Sequence, residues 1–164
     1  MLINLIGFNL VWFGLVYWGN FFIPLSLLLL ITHIFFIAQS SRELQLILVI
    51  TFIGIFVDSL LVNFNVFSFA NNGHMPFWLM VLWACFAATL CHSLRFLTNR
   101  IVLQLLVGGL LAPLSYIAGY KFQAVDFGQS IISTYLLLSA IWAVLFVLFF
   151  YLKDKLVNVE VRHV

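Results

Sequence analysis

Six of the seven Lys and Arg residues of this chain fall in every second gap between six long apolar blocks, a spacing that constrains the fold more than any motif does. Arg42, Arg95, Arg100, Lys153, Lys155 and Arg162 gather in gaps of one parity, and Lys121 stands in the other. Cytoplasmic loops of membrane proteins carry an excess of Lys and Arg, so the pattern predicts six crossings with both termini in the cytoplasm. Composition points the same way: only 7% of residues are charged, whereas soluble domains carry about a quarter. A helix needs roughly 20 apolar residues to cross a bilayer, so six crossings consume about 120 residues. The expected fold is therefore all-α and polytopic: six transmembrane helices in one bundle over 1–152, then a short cytoplasmic tail over 153–164. The net charge of +2 is small, and nothing in its distribution calls for nucleic acid.

The first block, from Leu2 to about Trp18, has no basic leader segment and no small-residue cleavage site, and reads as a retained span. Trp12, Tyr17 and Trp18 mark its interfacial end, and Gly19 and Asn20 supply the turn. A second span runs from about Phe21 to Ala38, with Pro24 tolerated in its first turn. Gln39 to Gln45, including Arg42 and Glu43, reads as a tight cytoplasmic connection. The third span, about Leu46 to Phe64, leads into an outer loop, Asn65 to Pro76, that carries Asn71, Asn72, Gly73 and His74 without Lys or Arg. The fourth span is expected as one helix from Phe77 to about Leu97, and the fifth from about Val102 to Tyr120. In the fifth, Gly108, Ala112, Ser115 and Gly119 share a face where another helix can approach closely. Pro113 is expected to kink it and free the carbonyl of Gly109. Lys121 to Gln129 forms the second outer loop, and Ser130 to Leu152 the sixth span.

Polar residues within these blocks carry whatever chemistry the chain has. An ionisable group at membrane depth costs about 2.5–3.5 kcal/mol on insertion scales, so it faces the protein interior and finds a partner. Asp58 is the acid in that position, about 9 Å below the outer boundary by helical rise. Ser115 and Tyr116 reach a similar depth, which makes their hydroxyls the expected partners of its carboxylate. A plainer alternative is that Asp58 only staples two helices, yet such bonds average about 0.6 kcal/mol, a weak reason to bury an acid.

His92 and His33 occupy matching depths near the inner leaflet, with Thr51 and Thr89 at comparable levels. Cys85, Ala88, Thr89, His92 and Arg95 fall on one helical stripe, expected to face the bundle interior. Arg95 can instead snorkel to lipid phosphates. Asp58 and His92 differ by about 15 Å in depth, so they are expected to form two separate polar levels and not a dyad. Asn4 and Asn9 read as helix-packing polar groups. Cys85 and Cys91, about 9 Å apart in rise and on different faces, cannot pair with each other. No metal site and no cofactor are expected, and no established catalytic motif is present.

The strings VDSLLV (57–62), LWACFAATLCHSLRFL (82–97) and GGLLAPLSYIAGYK (108–121), after FNLVWF (8–13), resemble an uncharacterised family of small bacterial inner-membrane proteins. Its members are often encoded beside cyclopropane-fatty-acid synthase. The resemblance covers nearly the whole chain and implies Asp58, His92, Ser93, Arg95, Pro113 and Tyr116 as hallmark positions. It also implies a link to fatty-acyl modification, and it carries no catalytic assignment.

Three expectations follow. One is an accessory to membrane-lipid or fatty-acyl modification, with membrane lipids as partners and a cavity lined by Asp58, His92, Arg95 and Tyr116. Another is a non-enzymatic substrate-binding subunit of a transporter. A third is a membrane scaffold, in which the small-residue face of the fifth span meets a protein partner. An enclosed pocket opening toward lipid favours the first, a pocket opening to the outer solution the second, and a filled bundle the third.

Overall fold

A computed structural model of the chain describes residues 2–38, 40–69 and 74–157. Gln39, Asn71, Asn72, Gly73 and Arg162 therefore lie outside the described residues. The protein is all-α: α1 (Leu2–Trp18), α2 (Ile23–Phe36), α3 (Ser41–Asn63), α4 (Phe77–Ala87), α5 (Ile101–Leu106), α6 (Ala112–Lys121) and α7 (Ile131–Leu156). Among the described residues, four stretches are long and apolar enough to cross a membrane: Leu2–Phe36, Ser41–Asn63, Ile101–Lys121 and Ile131–Leu156. Large apolar side chains stand exposed along α1, α2, α3, α5, α6 and α7, Phe35 at 78% and Phe36 at 83% among them. Soluble monomers rarely expose contiguous apolar patches beyond a few hundred Å². The fold is that of a multi-pass membrane protein.

The Leu2–Phe36 stretch is not one straight rod. Gly19 adopts φ 58° within the 3-10 turn Gly19–Phe22, a conformation glycine enters without steric cost. The chain folds back there, bringing Asn4 at the start of α1 to within 3.4 Å of His33 near the end of α2. Gly14 of α1 leaves the space that the Phe22 ring fills.

Contacts gather at two ends. At the strand end, β1 (Phe67–Ser68) pairs antiparallel with β2 (Asp126–Phe127), with Phe67 opposite Phe127. The Trp78 amide donates to Asn20 Oδ1 at the same end, 3.2 Å away. At the opposite, histidine end lie His33, Glu43 and His92, and Lys153 Nζ donates to Thr98 Oγ1 at 2.6 Å. Between the ends, the core is built on aromatic rings. Trp83 of α4 stacks on Trp142 of α7 at 5.0 Å and an interplanar angle of 5°, and Phe149 and Phe150 are buried beside them.

Two segments depart from the expected continuous helices. The fourth does not run to Leu97: α4 ends at Ala87, and 88–94 is a series of turns before the 3-10 turn Arg95–Leu97. Thr89 takes part in this break, because its Oγ1 donates to Phe86 O at 2.6 Å and its amide to the same carbonyl at 2.9 Å. A side chain that bonds its own backbone offers an alternative to the helical ladder. The expected stripe from Cys85 to Arg95 is therefore not a helix face.

The fifth segment contains a π turn, Val107–Leu111, immediately before Pro113. Proline cannot donate to the carbonyl four residues back, so the ladder widens instead of simply bending. Tyr135 of α7 donates its hydroxyl to Leu110 O nearby, at 3.2 Å. A side chain at Gly108 would overlap Trp142 O and the Phe146 ring, so glycine there lets the π turn press directly onto α7.

Candidate functional site

One polar level, toward the strand end, centres on Asp58, in the second turn from the end of α3 and 1% exposed. Trp83 Nε1 donates to its Oδ2 at 2.7 Å, and Tyr116 OH lies 3.1 Å from Oδ1 and 3.3 Å from Oδ2. The indole reaches Asp58 because Gly54, one turn earlier on α3, has no side chain where the Trp83 ring sits. Tyr116 is oriented by stacking on Phe67 at 5.1 Å. Ser115, the other expected partner, turns away and donates to Ala112 O at 2.7 Å. Asp58 thus joins α3, α4 and α6 through the Trp83 and Tyr116 bonds.

The level at the histidine end is built around Glu43. It stands in the first turn of α3, 2% exposed, and not in the connecting loop where its position among polar neighbours placed it. Its Oε1 is 2.7 Å from His92 Nε2 and 3.3 Å from His33 Nε2. The two imidazoles stand edge to face, with centroids 4.8 Å apart and an interplanar angle of 86°. Three separate segments supply this cluster: α2, α3 and the broken stretch after α4. Thr51 and Thr89 do not join it, and each donates to a backbone carbonyl of its own segment, Ile47 O and Phe86 O.

Asn4 supports the cluster through the break in the fourth segment. Because the His92 amide bonds to Thr89 O and not to Ala88 O, the Ala88 carbonyl loses its helical donor. The Leu94 amide also takes Thr89 O, which leaves the Ser93 amide without that acceptor. Asn4 serves both orphans: Nδ2 donates to Ala88 O at 3.4 Å, and Oδ1 accepts from Ser93 N at 3.3 Å. The same Nδ2 faces His33 Nδ1 at 3.4 Å. Non-helical backbone at membrane depth is tolerated where protein groups satisfy it, and here one carboxamide does so.

Between these levels lies a cavity of about 360 Å³, walled by α1 on one side and the α5–α6 segment on the other, with α4 and α7 behind. Its lining is mostly apolar, as in Leu82, Phe86, Val107 and Phe146, with polar groups from Asn9, Thr89, Ser93, Ser115 and Tyr116. Of the four residues expected to line a cavity, Tyr116 does so, while Asp58 and His92 do not reach its wall. Arg95 is exposed at the histidine end. Ser93 is 5% exposed, and its Oγ has no hydrogen-bond partner. Leu5, Asn9 and Leu111 are lining residues that are also exposed, so they form the mouth on the flank of the bundle. Phe122 packs edge-on against Trp12, Phe13 and Tyr17 and closes the gap between α1 and α6 at the strand end.

Residues 1–148 match the model of the family described as "Protein of unknown function (DUF2878)". The chain belongs to DUF2878. No curated protein and no solved structure matches it.

In this DUF2878 chain, sequence reasoning missed Glu43, Trp83 and Asn4 as site residues. Glu43 had a legible signal: it follows Ser40 and Ser41 and precedes an apolar run, the setting of a helix's first turn. Trp83 and Asn4 had none, since each is defined by the group it meets across the bundle.

Proposed function

We propose that this chain crosses the bacterial inner membrane six times with both termini in the cytoplasm. In this reading it is an accessory to membrane-lipid or fatty-acyl modification and holds an apolar chain in its lateral cavity. The observation that carries the reading is the cavity of about 360 Å³ whose mouth, at Leu5, Asn9 and Leu111, lies on the apolar flank of the molecule. Ligand sites are characteristically apolar clefts of about 300–1,000 Å³ with a few polar groups that fix orientation. Here Ser93 and Thr89 supply polarity near the histidine end, and Tyr116 supplies it nearer Asp58. An opening on the flank admits lipid from the bilayer, whereas a transporter's binding subunit needs an opening to the outer solution. Space between the helices also weighs against a filled scaffold.

The six-crossing reading is supported by the return of α1 onto α2 through Asn4 and His33. It is supported further by the meeting of the loops around 67 and 127 at one end while the cationic connections lie toward the other. The family resemblance to proteins encoded beside cyclopropane-fatty-acid synthase agrees with lipid as the substrate class.

The test is lipidomics of a deletion strain complemented with wild type, Asp58→Asn or His92→Ala. Wild type is expected to restore the acyl composition and the two variants to fail despite normal membrane levels. An acyl profile indifferent to deletion and to both variants contradicts the reading.

A further inference from the structure

We propose that His33, Glu43 and His92 bind a divalent transition-metal ion of the kind that prefers imidazole and carboxylate ligands, zinc or ferrous iron. Their ligand atoms all lie within 4.8 Å of one another, each from a different segment of the fold. Ligands about 2.0 Å from a tetrahedral metal sit about 3.3 Å from one another, so small side-chain rotations bring this trio into coordination. The His33 Nε2 to Glu43 Oε1 separation is already 3.3 Å.

Burying a carboxylate among apolar helices costs several kcal/mol unless its charge is balanced. Both imidazoles aim Nε2 at the same oxygen of Glu43. Their perpendicular rings, 86° apart, present two nitrogens converging on one point instead of a stacked pair. Two imidazoles and one carboxylate form a donor set suited to zinc and to non-haem iron, and three protein ligands leave a further position open.

Asn4 Nδ2 faces His33 Nδ1 at 3.4 Å, and an imidazole that carries its hydrogen on Nε2, toward Glu43, accepts from it. A metal displaces that proton, and the neutral ring then carries its hydrogen on Nδ1. Metal-bound histidines characteristically donate this second N–H to an oxygen. Asn4 supplies one when its carboxamide turns over, giving up contacts that are long, at 3.3 and 3.4 Å. Asn4→Asp, which offers an oxygen without that turn, is expected to tighten metal binding.

The full chain, purified in mild detergent with a histidine-free tag, is dialysed against zinc and separately against cobalt. Wild type is expected to hold about one metal per chain and to show the intense visible bands of four-coordinate cobalt. Glu43→Gln and His92→Ala should weaken zinc binding at least tenfold, while Gly7→Ala, where an added methyl group meets nothing within 4 Å, should not. If these variants fail to fold, His92→Cys with cobalt decides: a thiolate-to-cobalt charge-transfer band absent from wild type supports the site. Wild type without stoichiometric metal overturns the proposal. So does zinc retained undiminished in folded Glu43→Gln and His92→Ala, or cobalt bound to His92→Cys without the thiolate band.

Discussion

Trp83 Nε1 donates to Asp58 Oδ2 at 2.7 Å across the α3–α4 interface, and both side chains are buried. The bond exists because Gly54 makes room for the indole one helical turn from the acid, so one small residue, one large ring and one carboxylate form a single unit. Its partners on the far side, Tyr116 and Trp142, couple the same unit to α6 and α7.

Trp83→Phe keeps most of the ring and removes the donor. Leaving a buried acceptor short of a partner costs about 1–3 kcal/mol. Thermal unfolding in detergent, followed by circular dichroism, should show that loss in Trp83→Phe. It should largely disappear when Asp58→Leu is added, because the acid that needed the donor is gone.

Gly54→Val places a branched side chain inside the volume of the Trp83 ring, and no rotation of the valine avoids the ring. Overpacking of this kind costs about 1–3 kcal/mol or more. The expected result is lower folded yield and a shift of tryptophan fluorescence as the indole leaves its buried site. Gly7→Ala, where an added methyl group meets nothing within 4 Å, should leave both unchanged.

Asn4→Leu strips the Ala88 carbonyl and the Ser93 amide of their shared partner. Hydrogen exchange should rise over 88–94 by an amount equivalent to about 1–3 kcal/mol, the cost of orphaned backbone groups. The exchange of α7 should be unaffected, since none of its bonds involves Asn4.

Reporters fused after Asn72 and after Arg162 should report opposite compartments, with the tail in the cytoplasm. The same compartment for both contradicts the six-crossing reading.

The apolar blocks were legible because lipid imposes a minimum run length, and α1, α2, α3 and α7 fall within a few residues of where that length places them. The break after Ala87 was not legible. Residues 88–97 contain no proline or glycine to mark it, and the competing bond from Thr89 becomes worthwhile only because Asn4 satisfies the groups it frees. Depth counting brought Tyr116 to Asp58 and His33 to His92, because rise per residue is fixed along a helix. It could not choose between Ser115 and Tyr116, which differ by 100° around α6, nor foresee that Glu43 starts a helix instead of sitting in a loop. Lys153 shows the same limit: by charge it belongs to a solvated tail, yet it is 4% exposed, with its ammonium on Thr98 Oγ1 and 5.3 Å from the centre of the Phe150 ring.

The most direct test of lipid binding is mass spectrometry of lipid retained by the purified protein, comparing wild type with Ala112→Phe. Ala112 lines the cavity beside Ser115 and Tyr116, and a phenylalanine there fills much of the space without touching Asp58 or Glu43. Wild type should retain a lipid or fatty acid through detergent exchange, and Ala112→Phe should lose most of it while unfolding at a similar temperature. Equal retention by both proteins, or none by wild type, contradicts a cavity that holds an acyl chain.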